Sequence, residues 1–211
     1  MTKLAANWYF DFISPFSYLQ FGRVLGWRDR IDVTPVPILF GAVLQHIGQI
    51  GPAEIDGKRE FTYRFVQWQA QRDKIPLRFP PAHPFNPMAA LRLATAAGTT
   101  WSAIGAIFDH IWRDGLGADA ADLASIGREL RIADVAAAID APAVKAQLRA
   151  NTEAAIAAGV YGVPTLKAGD ETFWGNDATP MIEDWLAHPD LFSGPEYRRI
   201  AGLPVGIRRQ R

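Results

Sequence analysis

The sequence predicts an α/β fold in which a strand–helix–strand unit and a later strand–strand–helix unit are separated by a long helical insertion. Three observations lead to it. An aromatic and β-branched run at Trp8–Ile13 ends in Ser14-Pro15; the stretch from Gly41 to about Gly159 holds helical patterns but no convincing strand; and β-rich segments return at Val163–Ala168 and Glu171–Trp174.

The first run has the composition of a central strand covered on both faces, interrupted by a single acid, Asp11. Serine is a strong N-cap, and proline suits the first helical position because its missing N–H would be unpaired there anyway. A helix is therefore expected to start at Ser14, with Phe16, Leu19 and Phe21 opening its apolar face. Its free N–H groups and positive dipole end favour an anion beside the Ser14 hydroxyl. Taken alone, Ser14 reads as a plain cap in preference to a functional residue.

Ile31–Phe40 reads as a second strand whose prolines, Pro35 and Pro37, suit a sheet edge or a strand end. Helices are predicted over Arg59–Lys74, broken by Pro76, and over Met88–Ala97, with Asn86 as N-cap, Pro87 at the first position and Gly98 as the stop. Trp101–Arg113 places Ile104, Ile107, Phe108, Ile111 and Trp112 on one face, and further helices are expected over Asp119–Leu130 and Asp140–Ala158. The proline-rich stretch Pro76–Pro87 reads as a stiff linker in preference to a wall of the site. After the β-rich pair, with its turn at Gly169-Asp170, Thr179-Pro180 caps a helix over Met181–Ala187. The implied division is an α/β unit made of residues 1–40 and 160–190, a helical insertion over 41–159, and a tail over 191–211.

Composition narrows the function classes. The chain has 211 residues, 49% of them hydrophobic and 21% charged, with Lys+Arg equal to Asp+Glu at 22 each, which disfavours disorder and a nucleic-acid footprint. The arginines at 198, 199, 208, 209 and 211 read as a solvated basic tail. Met1–Ala6 lacks the apolar stretch of a signal peptide and no window has the length of a membrane span, so a cytoplasmic protein with no membrane partner is expected. Cysteine is absent, so any sulfur chemistry must use a sulfur brought from outside. The four histidines, His46, His83, His110 and His188, fit no metal spacing; no metal is expected, and surface or satisfied core roles are the default for all four.

The order of elements is the thioredoxin-fold layout with its middle opened. In that layout the active site lies at the start of the first helix, here Ser14-Pro15-Phe16-Ser17, and faces a cis-proline that opens the third strand, here Val163-Pro164. The sequence resembles the 2-hydroxychromene-2-carboxylate isomerases and the related kappa-class glutathione transferases of the DsbA-like branch. The resemblance spans nearly the whole chain and rests on Tyr9–Leu19, Ile75–Pro80, Gly159–Thr165 and Phe173–Asp177.

The resemblance implies glutathione as the thiol, Ser14 as the residue contacting its sulfur, and the Val163 backbone, beside Pro164, as the partner of its cysteinyl portion. It further implies that Asn176, Asp177 and Lys58 hold the γ-glutamyl or glycyl ends. The tryptophans read mostly as core by their periodic settings, with Trp174 and Trp68 as the candidates for lining an aromatic-substrate pocket and Trp174 also taken as a glutathione-site residue. Ala178 stands where relatives commonly carry arginine, Gln49 where asparagine is often found, and Phe61–Ala70 lacks an acid and an arginine seen in many members. These departures bear on the substrate more than on the thiol.

The activity expected first is isomerisation of a hydroxylated chromene carboxylate or its ring-opened benzylidenepyruvate by a homodimer. A kappa-like transferase or peroxidase and a peptide-binding module without turnover are the alternatives.

Overall fold

Strand β1 (Ala5–Phe10) lies inside the sheet in the computed structural model, which describes residues 3–207. It stops at Phe10, short of the expected Ile13, because Asp11 folds the chain back. The Asp11 carboxylate accepts the Ile13 N–H at 3.0 Å and the Asp11 carbonyl accepts the Ser14 N–H at 3.1 Å. Helix α1 (Pro15–Trp27) then begins with Ser14 in extended backbone as its N-cap.

Strand β2 (Asp32–Pro37) runs parallel to β1 at the sheet edge, where its prolines are tolerated. The expected strand is cut short because Phe40 starts a helix, α2 (Phe40–Ile47), which the sequence reading missed; Gly48 closes it at a φ of 67°.

The predicted insertion is helical throughout its described elements. It contains α3 (Lys58–Arg72), α4 (Met88–Ala96), α5 (Trp101–Phe108), α6 (Ala124–Glu129), α7 (Val135–Asp140) and α8 (Pro142–Ala157). Several details differ from expectation. Pro87, not Asn86, takes the cap position of α4, and Asn86 accepts the Met88 N–H instead. The expected helix over Trp101–Arg113 changes to a π-helical turn at Asp109–Arg113. Residues 119–123 are turns, so α6 is short. The helix expected over Asp140–Ala158 is α8, which starts at Pro142 after Ala141, whose ψ of 130° is what a residue before proline prefers; the short α7 before it was not expected.

The chain re-enters the sheet at β3 (Thr165–Ala168) and β4 (Glu171–Trp174), giving the order β2-β1-β3-β4 with β3 antiparallel to both neighbours. A 3-10 turn at Asn176–Ala178 leads into α9 (Thr179–Ala187). The expected tail is partly ordered: Leu191–Ser193 forms a 3-10 turn and α10 (Pro195–Ala201) follows, with Phe192 packed between Phe173 and Tyr197. Arg198 and Arg199 lie on α10; the arginines at 208, 209 and 211 lie outside the described residues. Among the described residues no helix is long and apolar enough to cross a membrane.

Side-chain alternation along β1 divides the core. Trp8 and Phe10 point into a large cluster where Phe108 of α5 contacts Trp8, Phe10, Phe12, Tyr18 and Phe21, with ring centroids 4.7–6.4 Å apart. Tyr9 points the other way, toward Ile38, Val43, Ala155, Val160 and Val163. The inserted helices therefore share one core with the first strand and helix, and the loop before Ser14 is packed from the insertion side.

Candidate active site

The end of β1, the start of α1 and the start of β3 meet at one end of the two central strands. Tyr9 is the last residue of β1 paired with β3, opposite Thr165, so Val163 and Pro164 lie just beyond the ladder where β1 gives way to the Ser14 turn. The Val163–Pro164 peptide bond is cis, as is His83–Pro84.

Ser14 is nearly buried, and its Oγ accepts the Ser17 N–H at 3.2 Å. That bond fills an acceptor position and leaves the hydroxyl hydrogen without an acceptor among the described residues. Pro15 supplies no donor, so in the first turn of α1 the Phe16 N–H is left without an intrahelical partner, beside the Ser14 hydroxyl.

The turn that carries Ser14 is braced on three sides. Asp11, fully buried, receives the Ile13 N–H on one carboxylate oxygen and the Phe40 N–H, at 2.9 Å, on the other, joining this turn to the start of α2. Desolvation pushes its pKa up to about 7, outweighing the backbone N–H bonds that favour the anion. The indole Nε1–H of Trp112 donates to the Phe12 carbonyl at 2.8 Å, and the His83 Nε2 lies 2.9 Å from the Ile13 carbonyl. Burial lowers the His83 pKa. The stretch Pro76–Pro87, read from sequence as a linker, is thus a wall of the site: Tyr18 donates to the Pro76 carbonyl at 2.5 Å, and Phe79 and Phe85 pack against Trp112.

A second junction, between β4 and α9, carries Asn176 and Asp177. Gly175 sits at φ 91° and ψ 159°, a region essentially reserved for glycine, and a Cβ there would fall 2.2 Å from Asp177 Oδ1. The Gly175 N–H donates to the Pro164 carbonyl at 2.8 Å, tying this junction to the cis-proline segment. From α1, the buried Gln20 donates to the Gly175 carbonyl at 3.1 Å while its Oε1 accepts the Trp8 indole N–H at 2.9 Å. Gly175, next to Asn176 and Asp177, is in this way tied both to Pro164 and to the helix that Ser14 caps; Asn176 is buried and Asp177 exposed.

Trp174 is 53% exposed, stands edge-on to Tyr161 at 5.3 Å, and covers Gly162 so closely that a Cβ would meet its Nε1 at 2.1 Å. Lys58 is exposed at the first position of α3, and no hydrogen bond or ion pair among the described residues joins it to the rest. Trp68 lies apart from Trp174, on the α3 stripe Phe61–Phe65–Trp68, with the Arg72 guanidinium 4.9 Å from its ring centre. The stripe touches α1 through Phe16 and Phe65, 6.3 Å apart. Among the described residues no cluster of three or more His, Asp or Glu has the arrangement of a metal site.

Sequence reasoning missed Asp11, Gln20, His83 and Trp112. An acid inside an aromatic strand was the one available signal, since the partners of the others lie far along the chain.

A family model described as a DSBA-like thioredoxin domain matches residues 6–187. The chain is 33% identical over 186 residues to a 2-hydroxychromene-2-carboxylate isomerase of Pseudomonas sp. (strain C18), covering 84% of this chain and 88% of that protein. It is 28% identical over 223 residues to glutathione S-transferase kappa 2 of Caenorhabditis elegans, covering 92% and 95%. Among solved structures, that of a 2-hydroxychromene-2-carboxylate isomerase superposes with a TM-score of 0.79 at 26% identity, over 96% of this chain and all of that one. The matched fold, the cis-proline beside the Ser14 turn and these relatives together place the chain in the DSBA-like thioredoxin family, in the group that holds the 2-hydroxychromene-2-carboxylate isomerases and kappa-class glutathione transferases.

Proposed function

We propose that the chain is a glutathione-dependent isomerase of a 2-hydroxychromene-2-carboxylate or trans-o-hydroxybenzylidenepyruvate type substrate, with Ser14 as the catalytic residue. The observation that carries this reading is the Ser14 hydroxyl, which accepts from Ser17 at the N-terminus of α1 and keeps its own hydrogen for a ligand. A hydroxyl donor and a helix N-terminus both favour a thiolate over a thiol. The names of the relatives support the substrate class and the thiol.

Glutathione, when bound, supplies a thiolate that adds reversibly to a conjugated double bond and so permits rotation about it. The chain's own residues bind and orient. Val163 offers peptide groups outside the ladder to the cysteinyl backbone, with Pro164 fixing the direction of that segment. Asp177, exposed at the start of α9, suits the γ-glutamyl ammonium group, and Asn176 lies beside it. Lys58 suits a glutathione carboxylate, and Trp174 covers the site next to Gly162. The kappa-class relative favours one alternative, a glutathione transferase using the same thiolate. Glutathione is recycled by the isomerase and consumed by the transferase, so its concentration during turnover separates them.

Two substitutions test the role of Ser14. Aspartate caps a helix about as well as serine, and alanine costs about 1 kcal/mol of stability. If Ser14 is only a cap, Ser14→Asp keeps full activity. The proposal expects both variants to lose turnover, because alanine removes the hydroxyl donor and aspartate sets a second negative charge against the thiolate, raising the thiol pKa. Ultraviolet titration of bound glutathione and the isomerase rate at saturating glutathione are the measurements. A Ser14→Asp protein that ionises glutathione normally overturns the mechanism.

A further inference from the structure

Two successive peptide carbonyls immediately before Ser14 are held by side chains that the insertion contributes: Trp112 donates to Phe12 and His83 reaches Ile13. The second contact is the more specific. A carbonyl oxygen can only accept, so His83 Nε2 carries the hydrogen and Nδ1 is left as an acceptor. Nδ1 lies 2.8 Å from the Tyr63 hydroxyl, which in turn lies 2.7 Å from the His83 carbonyl. Arg59 completes the arrangement, donating from Nη2 to the His83 carbonyl at 2.9 Å and from Nε to the Tyr63 hydroxyl at 3.2 Å. Tyr63, Phe79, Phe85 and Trp112 surround the imidazole, all four edge-on, with centroids 5.3–6.2 Å away. The ring is fixed in tautomer and in plane, and its one N–H is spent on the peptide that links Ile13 to Ser14.

We infer that His83 is a positioning residue for Ser14, through which α3 and the Pro76–Pro87 wall fix the direction in which the Ser14 hydroxyl is presented. It touches no reacting atom. Packing alone would be served by any flat ring of this size, whereas the Nε2–H bond is directional and acts on the peptide that sets the orientation of the N-cap. A small displacement of such a group costs turnover far out of proportion to its effect on folding. The inference rests on the reading of Ser14 given above.

Two substitutions at this position separate direction from packing. His83→Phe keeps the ring and loses the donor, while His83→Gln loses the ring and keeps an amide N–H near the place of Nε2. We expect His83→Phe to lower kcat by about 10- to 100-fold and to raise the pKa of the bound glutathione thiol, with little change in Tm. His83→Gln should retain most of kcat despite a lower Tm. The opposite ranking, with phenylalanine active and glutamine inactive, overturns the proposal, as does a loss of activity that follows Tm in both variants.

Ser14→Ala is measured alongside. If it keeps full activity, the function assigned to Ser14 fails; if Ser14 matters and His83→Phe does not, the positioning role alone fails. On the Ser14→Ala background His83→Phe should cost nothing further, and an additive loss counts against the proposal. Should His83→Phe not fold, Tyr63→Phe carries the test, since it frees the imidazole on its Nδ1 side. A kcat reduced in the same direction supports the role, and an unchanged kcat overturns it.

Discussion

Two helices start at the candidate site, and they are built differently. At the first junction Ser14 caps α1 with its own side chain, and the backbone before it is held by Asp11, His83 and Trp112, whose partners come from α2 and the insertion. At the second junction α9 starts with no side-chain cap, and its entry is held by a glycine conformation, one backbone bond to Pro164 and Gln20 of α1. The first is a turn fixed by its own buried acid and by two side chains distant in sequence; the second is fixed by backbone geometry and a neighbouring helix. The difference teaches that reactivity and ligand recognition can be separated by mutation although Gln20 ties the second junction to α1.

The largest expected effect comes from Asp11. Its carboxyl has a pKa of about 7 in the fold against 3.8 in the unfolded chain, so between these values the folded state holds a proton that the unfolded state has released. Its contribution to stability is therefore greatest below 3.8, declines as pH rises, and levels off above 7, with a span of order 4 kcal/mol. Asp11→Asn removes this titration, and the stability difference between the wild type and the variant should fall steadily from pH 4 to pH 7. Urea denaturation at a series of pH values measures it, and a flat difference curve would remove the buried acid from the account of the first junction.

Next in size is Gly175→Ala. At φ 91° and ψ 159° a side chain costs about 1–3 kcal/mol, and the new Cβ must push the Asp177 carboxylate aside. Weaker glutathione binding with an unchanged thiol pKa is expected, and calorimetry with ultraviolet titration reads both. A raised thiol pKa would show that the junctions are not separable. The smallest effect belongs to Ser17→Ala. The backbone N–H of Ser17 serves Ser14, but its buried Oγ has no hydrogen-bond partner among the described residues, so its loss should leave stability unchanged or slightly raised. A measured loss above about 1 kcal/mol would mean that this hydroxyl is bonded within the first junction.

Most of the architecture was legible because its signals are local. Ser14-Pro15 marks its own helix start, Pro142 its own break with the residue before it, and the Gly169-Asp170 turn its own strand pair. What was misread depends on partners distant in sequence. The Asp11 turn that ends the strand at Phe10 is also anchored to Phe40, 29 positions away, and Pro76–Pro87 is a wall because His83 meets Ile13 across 70 positions and Arg78 donates its N–H to the Trp112 carbonyl. Helix α2 was missed for a related reason: Leu39 caps it without a side-chain bond, so no cap residue announced it, and the carboxylate that receives the Phe40 N–H comes from Asp11, in the turn after β1.

The placement of prolines in β2 has a consequence for assembly. The N–H groups of Asp32 and Ile38 bond to β1, so along this strand the even-numbered residues face inward and positions 33, 35 and 37 face out. Pro35 and Pro37 hold two of those three outward positions, leaving Val33 alone with a donor to offer a further strand. Two copies of the chain cannot merge their sheets along this edge into one continuous ladder. A dimer has to form through helical faces or through the opposite margin at β4, and the β2 edge stays closed to the strand-by-strand growth that leads to aggregation.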